Sequence, residues 1–129
     1  MGLGVSYSQD ALAGMCILVV EDVYYLADHF EAIIGSAGGQ VAGPYDTVAD
    51  ALAFLAQESV VVSAASLDIK LLDGEVYPVA ERLAALNIPF VFATGAGGSN
   101  FPDRFAGAPI VSKPLSPERL VEALLLLKR

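Results

Sequence analysis

Apolar and polar positions fall into two rhythms along this chain: short apolar runs that end in a charged or hydroxyl side chain, and longer stretches with apolar residues three or four apart. The runs are Ile17-Leu18-Val19-Val20, Val60 to Leu67, Phe90-Val91-Phe92-Ala93 and Pro109-Ile110-Val111-Ser112. Each has the length of a buried strand, and they end in turn in Glu21-Asp22, Asp68, Thr94 and Lys113. Gln40 to Gly43 predicts a weaker strand, closed by Gly43-Pro44. Between the strands, Val23 to Ser36 sets Leu26, Ala27, Phe30, Ile33 and Ile34 at helical spacing, with Gly38-Gly39 as the stop. Asp46-Thr47 caps a second helix whose shared face is Val48, Leu52 and Leu55. Leu72-Asp73-Gly74 reads as a turn into a third helix over Gly74 to Leu86, with Val79, Leu83 and Leu86 inward and Pro78 tolerated in the first turn. Asn87-Ile88-Pro89 then opens the next strand.

Beyond Thr94 the rhythm breaks. Gly95 to Asp103 holds three glycines and a proline with no helical period, so a fourth crossover helix is expected to be short or missing. The last helix has Ser116 as N-cap, Pro117 at its first position and Glu118 in its first turn. Leu120, Val121, Leu124 and Leu127 turn inward there, and Lys128-Arg129 lies at its C-terminal end. The run Leu124 to Leu127 wraps past one face, which predicts that Leu125 or Leu126 is exposed. Strand and helix in alternation imply an α/β domain with a doubly wound, five-stranded parallel sheet. The carboxyl ends of parallel strands share one edge, so Glu21, Asp22, Asp68, Thr94 and Lys113 are expected in a single crevice.

Composition narrows the function. With 129 residues and 55% hydrophobic content the chain is expected to form one domain over 15–129 behind an N-terminal tail, 1–14. A net charge of -8 argues against a nucleic-acid binder, which needs clustered Lys and Arg. No secretory signal or membrane-length apolar run is visible, and the single cysteine, Cys16, suits a reducing compartment, so a cytoplasmic location is expected. His29, the single histidine and beside Asp28, reads as a solvated or half-buried helix residue.

Glu21, Asp22 and Asp68 repel one another when brought together, and a hard divalent cation such as Mg²⁺, held by Asp22, Asp68, a backbone carbonyl and water, offsets that repulsion. Asp68 can then attack a phosphoryl group whose oxygens are met by the Lys113 ammonium and the Thr94 hydroxyl. Taken singly, these residues have ordinary uses as caps, strand formers and surface charges. What points to chemistry is their order at the ends of four core strands.

Ile17-Leu18-Val19-Val20-Glu21-Asp22, Leu67-Asp68, Ala93-Thr94 and Lys113-Pro114 together make residues 15–129 resemble the receiver domain of two-component response regulators. The resemblance implies a flavodoxin-like sheet of order 2-1-3-4-5 and Asp68 as the phospho-acceptor. Glu21, Asp22, Asp68 and the main-chain carbonyl of Lys70 would hold Mg²⁺, with Thr94 as switch hydroxyl and Lys113 as phosphoryl contact. It further implies a cis bond at Lys113-Pro114, a histidine kinase or histidine phosphotransfer protein as partner, and a monomer or weak homodimer. Pro89 to Gly95 resembles the subgroup with a Phe-Ala-Thr-Gly motif, often stand-alone receivers with an altered fourth helix. Two positions depart from the pattern: Ile110 stands where an aromatic switch residue is usual, and Ala96 where the subgroup carries a larger one. The bistable element is then expected in the 95–108 loop. A receiver that binds partners without phosphorylation stays open as an alternative. So do a flavodoxin-like cofactor binder and a small Asp-nucleophile phosphatase, although Lys70 occupies the place where the latter needs a second acid.

Overall fold

The computed structural model describes residues 9–59, 61–95, 102–113 and 116–127. Its elements in chain order are β1 (Cys16–Val20), α1 (Tyr24–Ser36), β2 (Gln40–Tyr45), α2 (Val48–Leu55), β3 (Ala64–Leu67), β4 (Lys70–Leu71), β5 (Gly74–Glu75), α3 (Tyr77–Ala85), β6 (Phe90–Thr94), a 3-10 turn over Asp103–Phe105, β7 (Ile110–Ser112) and α4 (Pro117–Leu126). Five strands form one all-parallel sheet in the order β2-β1-β3-β6-β7. With the two-residue strands β4 and β5 set aside as a separate hairpin, this is the expected 2-1-3-4-5 arrangement.

Each face of the sheet buries its own apolar layer. Ile17, Val19, Val91 and Val111 pack with Phe30, Ile33 and Ile34 of α1 and Leu120, Val121 and Leu124 of α4. Leu18, Val20, Leu67 and Phe92 pack with Ala51 and Leu55 of α2 and Val79 and Leu83 of α3. The alternation Ile17/Val19 against Leu18/Val20 is the period-two pattern of a strand covered on both faces.

The structure revises several boundaries. Of the run Val60 to Leu67, among the described residues 61–67 only Ala64–Leu67 pairs as strand, and Val61 is 81% exposed. The third helix starts at Tyr77, because Gly74–Glu75 turns back on Lys70–Leu71 as an antiparallel hairpin. Pro78 still falls in its first turn, but Leu86 lies beyond its end at 38% exposure, and Val76 and Ala80 fill the inner face instead. β2 continues through Gly43-Pro44, a cis peptide, to Tyr45, with a break of register opposite Val19. Gly43 takes φ +98°, and a Cβ there would come within 2.9 Å of the Val19 carbonyl oxygen, so the position requires glycine.

Within the expected N-terminal tail, Leu12 is fully buried among the α1–α4 layer and its amide donates to the Ala37 carbonyl at 2.7 Å. Leu126 is the exposed leucine of the last helix at 84%. His29 is exposed, and so are Tyr24 and Tyr25. Burial raises the pKa of the Cys16 thiol. Among the described residues no helix is long and apolar enough to cross a membrane.

Candidate functional site

The strand ends deliver their side chains to one edge because the hydrogen-bond ladder carries one step past each strand. The Asp68 amide donates to the Val20 carbonyl at 2.9 Å, the Glu21 amide to Tyr45 at 2.9 Å, and the Lys113 amide to Thr94 at 3.0 Å. Val20 pairs with Leu67, and Thr94 with Ser112, so the residues next in line lie side by side. The expected crevice forms: one carboxylate oxygen from each of Glu21, Asp22 and Asp68 lies within 4.8 Å of the others.

Lys113 reaches into this group. Its Nζ donates to Glu21 Oε1 at 2.5 Å and lies 3.5 Å from Asp68 Oδ2. The Glu21 side chain is wholly buried, and its second oxygen accepts the Val23 amide at 3.2 Å. A buried carboxylate is tolerable only with such partners. Asp68 Oδ1 accepts the amide of Ile69 at 2.8 Å. Burial, followed by the Glu21 charge, pushes the Asp68 carboxyl up to about 7, with Lys113 pulling the other way. Hydrogen bonding with Glu21 and Asp22 adds to the rise.

Thr94 is buried at the end of β6, and a Cβ on Gly95 would sit 3.8 Å from Lys113 Cβ, so the hydroxyl and ammonium elements adjoin. Lys70 lies in β4, two residues past Asp68, with its side chain exposed. Ile110 is 46% exposed at the start of β7. Pro114, on which the expected cis bond depends, and Ala96, with the 96–101 part of the expected switch loop, lie outside the described residues.

Three features had no counterpart in the sequence reading. Tyr24, Asp28, Glu31, Asp46 and Asp50 continue the acid edge into a cleft of about 300 Å³ beside Glu21 and Asp22. Ser66, two residues before Asp68, is buried with a hydroxyl that finds no partner among the described residues. Asp73, foreseen as part of a turn, accepts two amides of α2. The acidic cleft was open to discovery from Asp28 and Glu31, which stand about one helical turn from each other; the reach of Asp73 across 25 positions left no local signal.

No family model matches the sequence, and no curated protein does either. Among solved structures, SdrG from Sphingomonas melonis Fr1 is 39% identical, with 91% of this chain and 97% of that one aligned at a TM-score of 0.77. SdrG from Pseudomonas melonis Fr1 in its BeF3-activated conformation is 40% identical over 89% and 98%, at 0.73. A response regulator receiver protein from Sinorhizobium medicae WSM419 shares the fold at 23% identity over 88% and 93%, at 0.74.

Proposed function

The chain belongs to the response regulator receiver family, and we propose that it is a receiver domain taking a phosphoryl group onto Asp68 from a histidine kinase or a histidine phosphotransfer protein. The observation that carries this reading is the convergence of three carboxylates within 4.8 Å of one another with a lysine ammonium 3.5 Å from Asp68. An Asp68 carboxylate oxygen bonds to phosphorus as the P–N bond to the donor imidazole breaks; the ring nitrogen leaves with that electron pair and the product is an acyl phosphate. Lys113 exchanges part of its contact with Glu21 for the new phosphoryl oxygens, and the Thr94 hydroxyl donates to them.

The donor set fits Mg²⁺. Three clustered carboxylates are hard oxygen ligands, and after burial the Glu21 charge is the next cause that raises the Asp68 pKa, with Lys113 opposing it. Glu21, Asp22, Asp68 and the main-chain carbonyl of Lys70 would hold the ion. When bound it supplies the charge that keeps Asp68 ionised and offsets the phosphoryl oxygens. Output by protein contact or phosphate relay, in the cytoplasm and as a monomer or weak homodimer, completes the reading; its role is signalling rather than turnover of a substrate. Lys70 in place of a second acid speaks against a phosphatase.

Intact-mass measurement after incubation with acetyl phosphate and Mg²⁺ tests it. The wild type gains one phosphoryl group and Asp68→Asn gains none; equal labelling of both proteins, or of neither, sinks the assignment.

A further inference from the structure

The hairpin that follows Asp68 is pinned at both ends. At its root Ile69, Leu71 and Val76 are buried in the α2–α3 layer, and the Val76 amide donates to the Ile69 carbonyl at 2.8 Å. At its tip Asp73 reaches the start of α2: Oδ1 accepts the Val48 amide at 2.7 Å and Oδ2 the Ala49 amide at 3.1 Å. These are the first two amides of the helix, which have no partner within it. Next to them the Leu72 amide donates to the Asp46 carbonyl at 3.4 Å.

α2 already has its own cap, since Thr47 Oγ1 accepts the Asp50 amide at 3.0 Å. A second cap from 25 residues away adds something that a local one does not, a fixed distance between α2 and the hairpin tip. The amides hold the Asp73 carboxyl below its ordinary pKa, so the clamp is charged at neutral pH. Lys70 lies between the pinned root and the pinned tip, and Asp68 immediately before the root.

We infer that Asp73 is a positioning residue for the acidic site: by clamping the 70–75 hairpin to α2 it sets where the Lys70 main-chain carbonyl stands relative to Asp22 and Asp68, and so tunes divalent-cation affinity. This rests on the reading of that carbonyl as a metal ligand. Asp73 contacts no ligand itself. Its effect passes through the hairpin backbone, as partners behind a metal ligand do.

The test is a Mg²⁺ titration followed by amide chemical shifts, with the thermal midpoint of every variant measured alongside. Asp73→Ala weakens Mg²⁺ by about tenfold, and Asp73→Asn, which keeps the volume and one acceptor, by less; the latter carries the test should the alanine variant not fold. Thr47→Ala removes the local cap of the same helix, and Glu58→Gln removes an exposed charge past the far end of that helix; both leave Mg²⁺ affinity near the wild-type value. Unchanged affinity in both Asp73 variants overturns the inference, and so does an equal loss in Thr47→Ala or in Glu58→Gln. A wild type whose shifts do not respond to Mg²⁺ removes the metal reading itself, and the inference with it.

Discussion

The β2-β1-β3 half of the sheet and the β6-β7 half solve the same covering problem differently. In the first, α1 and α2 carry the chain over the sheet between successive strands, and the strand ends present Glu21, Asp22 and Asp68, all acids. In the second, the chain between β6 and β7 forms among the described residues only the turn Asp103–Phe105, and the strand ends present Thr94 and Lys113. Among the described residues of that crossover, what covers the sheet is aromatic area. Phe105 is 7% exposed, stacked on Tyr77 at 5.6 Å between ring centroids and edge-on to Phe92 at 5.8 Å and Phe90 at 6.1 Å. One large side chain on a short turn does the burying that a helix face does elsewhere. The β3–β6 ladder joins the two halves through the sheet, and at the carboxyl edge a buried ion pair, Lys113 with Glu21, joins them again.

Breaking that pair gives the largest effect. Lys113→Met leaves the Glu21 carboxylate buried without its cation, beside the Val23 amide and the Asp68 carboxyl. Removing one member of a buried pair costs about 3–5 kcal/mol, which urea denaturation reads directly. Glu21→Gln added to Lys113→Met recovers much of the loss, because no buried charge is then left unpaired. A loss below about 1 kcal/mol would mean that the two halves are not joined through this pair.

Next in size is the aromatic anchor. Phe105→Ala destabilises by about 3 kcal/mol, the low end for a buried Phe because a short turn can relax around the gap. Phe105→Leu retains most of the apolar volume and costs about 1 kcal/mol. The neighbouring Arg104–Glu81 ion pair, with both side chains more than half exposed, contributes little beside it. If Phe105→Ala cost no more than an exposed substitution, the β6-β7 half would have to be covered by something other than this ring.

The same division decides what could be read in the sequence. The core strands, α1 and α4 were legible, because Phe30, Ile33 and Ile34 or Leu120, Val121 and Leu124 repeat at a helical period over a length long enough to stand out. The acid edge was legible because strand termini and charged residues coincide. The hairpin at Lys70–Glu75 was not: two-residue strands carry no period, and Asp73-Gly74 looks like any turn into a helix. Phe105 gave no signal, since an aromatic just past a glycine-rich stretch, with no helical period around it, is indistinguishable from a loop residue until Tyr77, Phe90 and Phe92 are brought around it. Pairings that span tens of residues, such as Lys113 with Glu21, follow from topology alone and became visible only with the sheet order.

The smallest effect falls where the acid half is least balanced. With no divalent cation added, the folded-state pKa of Asp68 is about 7 against an ordinary 3.8. Between those values the folded protein holds a proton that the unfolded chain has released, so stability falls as pH rises through that window and levels off above about 7. Asp68→Asn cannot titrate, and the acids remote from Asp68 are common to both proteins and cancel in their difference. The variant is therefore expected to match the wild type near pH 4 and to exceed it progressively up to pH 7. The plateau is on the order of 1–2 kcal/mol, discounted from the full shift because part of the carboxyl still meets water. In thermal midpoints this is about 5 °C at pH 8 in EDTA. Adding Mg²⁺ to the wild type narrows the gap, since a cation among Glu21, Asp22 and Asp68 favours the ionised carboxylate and opposes both burial and the Glu21 charge. A difference that stays flat from pH 4 to pH 8 would mean that Lys113 alone balances Asp68, and that the acid half needs no further positive charge.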